Sequence, residues 1–519
     1  MDALEKIAAH SNFSAVDWVI VCVYLSGSVL IGFYVRRYIA NMADYVVAGR
    51  ALKTYIGLAT LIGTEMGLVT VMYAAQKGFT GGFAAFHIGL IAGVVTLFVG
   101  ITGFIVVPLR RMGVMTIPEY YQKRFTPGVR VVGGAILAFA GILNMGMFLK
   151  AGALFVTAVM GMTDPMYLNI TMSVLIGLVL TYTILGGMVS VVITDYIQFA
   201  VLSIGLLLTS AIAVNKLGWD NMVNAVMTYR GEGGFNPFHE SDGSGFGTSY
   251  VMWMVILGLV VSAVWQTSVI RACAAESTKV VRRMYMWSSV GYLIRIMIPY
   301  LWGIAALTYV ASHPEFREIF LPTQGEPDPQ HTLMAMPLAL SAILPVGLLG
   351  ILTAGMLAAF MSTHDSYLLC WSSVLTQDVL APLLGERMTT RVRLICARLF
   401  IFLIAVFLLV WGLWYPLGQD LWDYMAITGA IYFTGATAVL VVGIYWKRAS
   451  TVGAYVALLC GFGALLGLAP IQDRLGVDWD TEWVGLGTVA AAFGTMIIGS
   501  LLFPNRKRPA GDTAPVEEA

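Results

Sequence analysis

The chain has 519 residues, of which 58% are hydrophobic and 11% charged, and its formal net charge is +1. Because soluble domains carry about 25% charged residues, this composition excludes a string of soluble domains and indicates a polytopic membrane protein. The five cysteines lie in or beside apolar segments without a CxxC spacing, which argues against a disulfide framework and against a zinc site.

Apolar segments long enough to cross a bilayer recur along the chain. A transmembrane helix needs about 20 apolar residues, and by this measure the sequence predicts about thirteen spans in an all-α protein. They cover residues 14–35, 54–78, 81–108, 128–159, 165–186, 190–214, 249–270, 285–311, 346–377, 391–413, 421–444, 452–469 and 482–503. We expect the protein in the cell (inner) membrane, surrounded by the lipid bilayer.

Lysine and arginine are distributed unevenly between the two ends of these spans. One set of alternate connections and span ends carries 21 of them and the opposite set 6. Since cytoplasmic loops are enriched in Lys and Arg, we expect the N-terminus outside and the C-terminus in the cytoplasm. Nothing in the sequence indicates nucleic-acid binding or an obligate protein partner.

Two of the predicted spans are interrupted by glycine and polar residues. The second span contains them at 57–67 and the seventh at 258–268, five spans later. Interrupted helices at matching positions of two halves are typical of secondary transporters built from inverted repeats, and their substrates bind at the breaks. The sequence therefore predicts a 5+5 inverted repeat, with the first repeat at 54–214 and the second at 249–447.

The rest of the chain is predicted to be peripheral. Its parts are a first helix with a cytoplasmic loop at 1–53, an external loop at 215–248, C-terminal helices at 448–505 and a cytoplasmic tail at 506–519.

One polar run lies inside the long apolar segment 346–377. It extends from Ser362 to Ser366 and includes the carboxylate of Asp365. Unpaired polar groups are costly in hydrocarbon, and ionisable residues within a span usually mark a functional site. We therefore expect this run to face protein or water rather than lipid.

Several separate motifs resemble those of the sodium:solute symporter family. They are 44–50 (DYVVAGR), 118–125 (PEYYQKRF), 186–198 (GGMVSVVITDYIQ), the pattern of Gln266, Arg271, Ala274, Ala275 and Ser277, and 358–366 (AAFMSTHDS). The resemblance extends from about residue 44 to residue 447. It implies the LeuT-like inverted-repeat fold and sodium-driven uptake of a small polar solute.

The resemblance also implies a main sodium site between the broken second span and the ninth span. Its ligands would be backbone carbonyls of Gly63, Met66 and Ala359 and the hydroxyls of Ser362 and Thr363. Sodium is a hard cation that prefers such oxygens. The alternative is that both hydroxyls bond to carbonyls of their own helix, as is common in membrane helices.

A second ion site, present in part of the family, would use Asp195 of the sixth span and two hydroxyls one turn along the ninth span, those of Ser362 and Ser366. Asp365 stands where the family pattern has a serine. Because two neighbouring carboxylates favour retention of a proton, coupling could involve H+ beside or instead of a second Na+. The alternative is that Asp365 pairs with His364 or a basic residue and is structural.

The substrate is expected between the two breaks, near the middle of the membrane. The candidate contacts are Thr64, Glu65 and Thr70 in the second span, His87 in the third, Trp265, Gln266, Thr267 and Ser268 in the seventh, and Arg295 in the eighth.

Arg295 is the most informative of these residues because it lies well inside an apolar segment. Its guanidinium suits a carboxylate, which favours an organic anion or an amino acid as substrate. Pairing with a buried acid such as Glu65 fits the charge equally well.

No catalytic motif accompanies these residues, so we expect a transporter and not an enzyme. The function that fits best is sodium-coupled symport of a small polar solute by alternating access, with Na+ as the coupling ion. The alternatives are a proton-coupled or mixed Na+/H+ symporter on the same fold, and a substrate sensor that does not transport.

Overall fold

The computed structural model describes residues 11–35, 52–162, 164–239, 246–322, 327–416 and 418–505. Inside its helices, the side chains at positions 29, 31–35, 64, 182 and 184–200 also lie outside the description. The predicted loop and tail at 36–51 and 506–519 therefore fall outside the described residues.

The described chain folds into α-helices joined by short 3-10 segments and loops. The helices are α1 (Ala15–Val35), α2 (Thr54–Glu65), α3 (Leu68–Gly81), α4 (Phe86–Thr102), α5 (Val106–Arg111), α6 (Ile117–Arg124), α7 (Pro127–Asn144), α8 (Phe148–Val159), α9 (Pro165–Leu217), α10 (Trp219–Arg230), α11 (Thr248–Val264), α12 (Gln266–Ala274), α13 (Thr278–Ser312), α14 (Pro314–Phe320), α15 (Pro329–Ile343), α16 (Leu348–Val374), α17 (Ala381–Leu384), α18 (Thr390–Trp414), α19 (Leu421–Tyr445), α20 (Thr451–Cys460), α21 (Ala469–Leu475) and α22 (Thr481–Leu502). The predicted all-α class is confirmed.

Hydroxyl caps set the beginning of several helices. Thr126 Oγ1 accepts a hydrogen bond from Val129 N at 3.4 Å, and Pro127 occupies the first helical position of α7. Ser277 Oγ accepts from Val280 N at 3.3 Å at the start of α13. Such caps satisfy amide groups that have no partner inside the helix, so the positions of α7 and α13 follow from local sequence.

Among the described residues, seven helical stretches are long and apolar enough to cross a membrane, or up to ten if each of three bent pairs is one span. This count, which rests on helix length and composition, is below the predicted number of about thirteen spans. The predicted spans 165–186 and 190–214 both lie in α9, which is helical throughout from Pro165 to Leu217. The predicted connection at 186–190 is thus not a break in the helix, because two glycines cost only about 1 kcal/mol each in helix propensity.

Both predicted helix breaks are confirmed. Helix α2 ends at Glu65, the two residues Met66 and Gly67 are not helical, and α3 begins at Leu68. Helix α11 ends at Val264, and α12 continues after Trp265 at an angle of 41°. Each break leaves the last carbonyls of the preceding helix without a partner inside that helix.

Helix α16 lies at the centre of the protein. Every residue from Leu352 to Val374 is buried, so no face of this part of the helix is open to lipid. The polar run from Ser362 to Ser366 is therefore surrounded by protein, as the sequence predicted. After Val374 the chain continues as a π-helical turn, Leu375–Leu380.

Helices α3 and α13 approach each other closely through glycine. A Cβ added at Gly78 would overlap the carbonyl oxygen of Tyr300, and one at Gly303 would overlap the carbonyl oxygen of Ala75. Small residues at a helix crossing allow backbones to touch in a membrane. This contact fixes α13, and with it Arg295, relative to the helix that follows the first break.

Candidate transport site

The first helix break lies directly against the polar run of α16. There is no room for a side chain at Gly67, because a Cβ there would overlap Oγ1 of Thr363. Met66, Ser362 and Thr363 are all at most 5% exposed. The structure thus brings the carbonyl-rich end of α2 and the Thr363 hydroxyl of α16 together in one buried place.

The other residues of the predicted main sodium site flank this contact. Ala359 precedes Ser362 and Thr363 by three and four positions on α16, so the three lie on one face of that helix. Gly63 lies in the last turn of α2, where carbonyls have no partner inside the helix. The set offers the carbonyl and hydroxyl oxygens that Na+ prefers.

A guanidinium occupies the region of the predicted second ion site. Arg271 donates from Nη2 to Ser366 Oγ at 3.0 Å, from Nη1 to Thr267 O at 2.9 Å and from Nε to Thr60 Oγ1 at 3.2 Å. These bonds tie α12 to α16 and α2. A cation bound at Ser366 would therefore lie beside a permanent positive charge.

The two carboxylates of that second site are placed differently. Asp365 is fully buried on α16. The ring nitrogen Nδ1 of its neighbour His364 lies 2.8 Å from Phe360 O. Asp195 lies on α9, but its side chain is outside the described part of the structure, so its distance from the Ser366 region is not defined.

Glu65, the last residue of α2, is held by hydroxyls from the second broken helix. Its Oε1 accepts hydrogen bonds from Thr267 Oγ1 at 2.8 Å and from Ser268 Oγ at 2.9 Å. Its backbone carbonyl accepts from Thr70 Oγ1 at 2.9 Å across the break. Glu65 therefore connects the two broken helices, α2–α3 and α11–α12.

Arg295 of α13 faces the other oxygen of Glu65. Its Nη1 lies 3.9 Å from Glu65 Oε2, which is an ion pair but too long for a hydrogen bond. The guanidinium carbon lies 4.1 Å from the centre of the Tyr292 ring. Of the two possibilities that the sequence left open, pairing with Glu65 is present, and substrate contact stays a proposal.

A cavity of about 80 Å³ lies between these elements. Glu65 and Arg295 line it, as do Thr70, Thr363 and Trp265. Five aromatic side chains from four helices also line it, namely those of Tyr73, Phe148, Tyr367, Trp422 and Phe433.

Other predicted substrate contacts lie outside the cavity wall. Thr267 and Ser268 are engaged with Glu65, and Gln266 Oε1 accepts from Ile117 N of α6 at 3.1 Å. The Nδ1 atom of His87 lies 2.6 Å from Ala84 O, and its ring packs against Phe246 at 5.1 Å. The side chain of Thr64 is outside the described set.

Sequence reasoning missed several residues of the wall. Asn144 of α7 lines the cavity and donates from Nδ2 to Met425 O at 2.8 Å and to Thr428 Oγ1 at 3.0 Å. A lone amide inside the apolar segment 128–159 was an available signal. The aromatic wall from α16 and α19 carried no signal, since aromatic residues are common throughout the chain.

Two ion-pair clusters lie outside the cavity wall. In one, Lys77 of α3 lies 2.9 Å from Asp420 and 3.0 Å from Asp423. In the other, Asp378 Oδ1 accepts from Arg130 Nε at 2.8 Å and from Thr116 Oγ1 at 2.9 Å. Both clusters join elements from distant parts of the chain.

Sequence and structure comparisons agree with this architecture. The profile of the sodium:solute symporter family matches residues 45–461. The chain is 24% identical over 494 residues to sodium/glucose cotransporter 4 of Danio rerio and 25% identical over 496 residues to the sodium/myo-inositol cotransporter of Bos taurus. These matches cover 88% and 86% of this chain, and 72% and 66% of the two relatives.

A solved structure of a Na+-coupled sialic acid symporter, in a substrate-bound outward-open state, has the same fold. The two structures superpose with a TM-score of 0.76 at 20% sequence identity, over 94% of this chain and 98% of the other. At this identity the likeness establishes the fold, and the substrate has to be argued from the site itself.

Proposed function

The chain belongs to the sodium:solute symporter family, and on that premise we propose that it imports a small organic anion or an amino acid together with Na+. Na+ is the coupling ion. The solute binds in the cavity between the two broken helices, and the ion binds at the contact between the first break and α16.

One observation carries this proposal, namely the packing of Gly67 against Thr363. It brings the end of α2 beside a hydroxyl of α16, and Thr363 also lines the solute cavity. A cation at this contact lies next to the solute, so each ligand alters the free energy of binding of the other. Such mutual stabilisation is what thermodynamic coupling requires.

We propose the alternating-access cycle of an inverted repeat, with repeats at 54–214 and 249–447. The cluster of Lys77, Asp420 and Asp423 separates when the cavity opens to one side, and the cluster of Asp378, Arg130 and Thr116 when it opens to the other. From the Lys and Arg distribution we propose that the second cluster faces the cytoplasm and that the N-terminus lies outside, with the protein in the cell (inner) membrane. Protease access to the C-terminal tail in oriented vesicles checks this orientation.

The test is uptake of labelled solutes into proteoliposomes that contain the purified chain. Acids, amino acids, sugars and polyols are compared under an inward Na+ gradient, an inward K+ gradient and a pH gradient. We expect at least one acid or amino acid to accumulate under the Na+ gradient and not under the K+ gradient. Accumulation driven by the pH gradient alone favours the proton-coupled alternative that the buried Asp365 raises, and solute binding without uptake under any gradient favours a sensor.

A further inference from the structure

We propose that the cavity selects a monocarboxylate with a compact planar, apolar body, whose carboxylate binds to Arg295. This inference rests on the proposed function and narrows its substrate class. Three independent features of the cavity support it: the unused donors of Arg295, the charge of the wall and the chemistry of the remaining wall.

Arg295 has donors that no described protein group accepts. It is 6% exposed, and its Nε and Nη1 atoms are buried without a hydrogen-bond partner in the described part of the chain. Glu65 does not fill this role, because Oε2 is 3.9 Å away and Oε1 is taken by Thr267 and Ser268. Unsatisfied buried donors of a charged group are costly, and a carboxylate accepts from a guanidinium through both oxygens.

The charge of the cavity favours one negative charge on the solute. Among the described side chains that line it, Glu65 and Arg295 are charged, and they cancel. Na+ at Thr363 adds one positive charge to the wall. A monoanion then gives a neutral occluded complex, whereas a zwitterion or a neutral solute leaves +1 and a dianion leaves −1. An uncompensated charge in a buried site costs several kcal/mol.

Two further buried ionisable groups, Asp365 and Arg271, are at most 1% exposed and do not line the cavity.

The rest of the wall suits an apolar, flat body. Trp265 and Phe433 lie edge to face at 4.8 Å, and Phe148 and Tyr367 are 5.2 Å apart. Trp265 Nε1 donates to Tyr367 OH at 2.9 Å, so that indole is already satisfied. Aromatic surfaces of this kind accommodate a ring by offset or edge contacts.

Few polar atoms of the wall remain for solute hydroxyls. Besides Arg295, the wall atoms without a hydrogen-bond partner among the described residues include Asn144 Oδ1 and Trp422 Nε1. A sugar or polyol buries five or so hydroxyls, and most of them would be left unpaired here, which is costly for each group. A monocarboxylate with at most one ring hydroxyl matches this supply of donors and acceptors.

The test uses benzoate as the probe on the purified full-length protein, in Na+ and in K+. Benzamide is the neutral isostere, L-phenylalanine the zwitterion, phthalate the dianion and myo-inositol the polyol. Benzoate is expected to raise the melting temperature in Na+ and to bind at least tenfold more tightly than each of the other four. Equal affinity for benzamide and benzoate overturns the proposal.

Variants test the role of Arg295 directly. Arg295→Gln and the double variant Arg295→Gln with Glu65→Gln are expected to lose benzoate affinity by at least tenfold. Arg295→Lys, which keeps the charge and loses the planar fork, is expected to lose less. The matched control Arg398→Gln, at an exposed arginine of α18, keeps wild-type affinity. Wild-type affinity for benzoate in the double variant overturns the proposal, since that variant leaves no buried charge unpaired.

An error in the substrate class can be distinguished from a failure of the proposed function. If an amino acid or a sugar accumulates under a Na+ gradient while benzoate does not bind, the substrate inference is wrong and the symport proposal stands. If no solute in the panel accumulates under a Na+ gradient, the proposed function fails with it.

Discussion

Replacing Thr363 with valine is expected to weaken Na+ binding about 10- to 100-fold. The substitution keeps the shape of the side chain and removes the hydroxyl that faces the break at Gly67. Interactions of a hydroxyl with a charged partner contribute about 1.5–3 kcal/mol, which corresponds to this range. The measurement is the Na+ concentration that gives half of the maximal rise in melting temperature of the purified protein, because a bound ion stabilises the native state by mass action.

The matched control is Thr353→Val on the same helix. Thr353 is also fully buried, and its hydroxyl donates to Leu349 O at 2.8 Å, so its loss affects packing and hydrogen bonding in a similar way without touching the break. Its Na+ dependence should equal that of the wild type. Equal Na+ affinity in the wild type and in Thr363→Val would contradict the location of the ion site.

Replacing Glu65 with glutamine is expected to destabilise the protein by about 3 kcal/mol, the lower end of the range for breaking a buried ion pair. The lower end applies because Arg295 Nη1 and Glu65 Oε2 are 3.9 Å apart and not hydrogen bonded. The variant leaves the positive charge of Arg295 buried among apolar and aromatic side chains. The measurement is the thermal midpoint in detergent, without Na+ and without solute.

A double-mutant cycle separates the charge pair from other effects of the substitutions. Glu65→Gln with Arg295→Gln is expected to recover much of the stability that either single variant loses, since neither charge remains. Glu232→Gln, at an exposed glutamate, serves as the control and should have no effect. Losses that add within about 0.5 kcal/mol would mean that the two residues do not interact.

The helix breaks could be predicted because their cause is local. Glycine and a carboxylate at 63–67, and polar residues at 265–268, interrupt segments that are otherwise apolar. Helix ends leave backbone groups without partners inside the helix. In a membrane such ends are tolerated where they face a site. The connection at 186–190 shows the limit of the same signal, since glycines there did not end α9.

The partners of each site residue could not be predicted from the sequence. Spacing within a helix predicts neighbours at three and four positions, but not how separate helices rotate against one another. Glu65 accepts hydrogen bonds from Thr267 and Ser268. Gln266, their neighbour in sequence, instead accepts from Ile117 N of α6. His87 does not line the cavity.

A protein that does not transport can still bind both Na+ and solute. The property that defines a symporter is movement of the two together across the membrane. The most direct measurement is entry of 22Na+ into proteoliposomes containing the full chain, with and without pools of acids, amino acids, sugars and polyols outside. We predict that at least one pool of acids or amino acids accelerates 22Na+ entry, and that Thr363→Val removes the acceleration at the same Na+ concentration. Solute entry that leaves the rate of 22Na+ entry unchanged would contradict sodium-coupled symport.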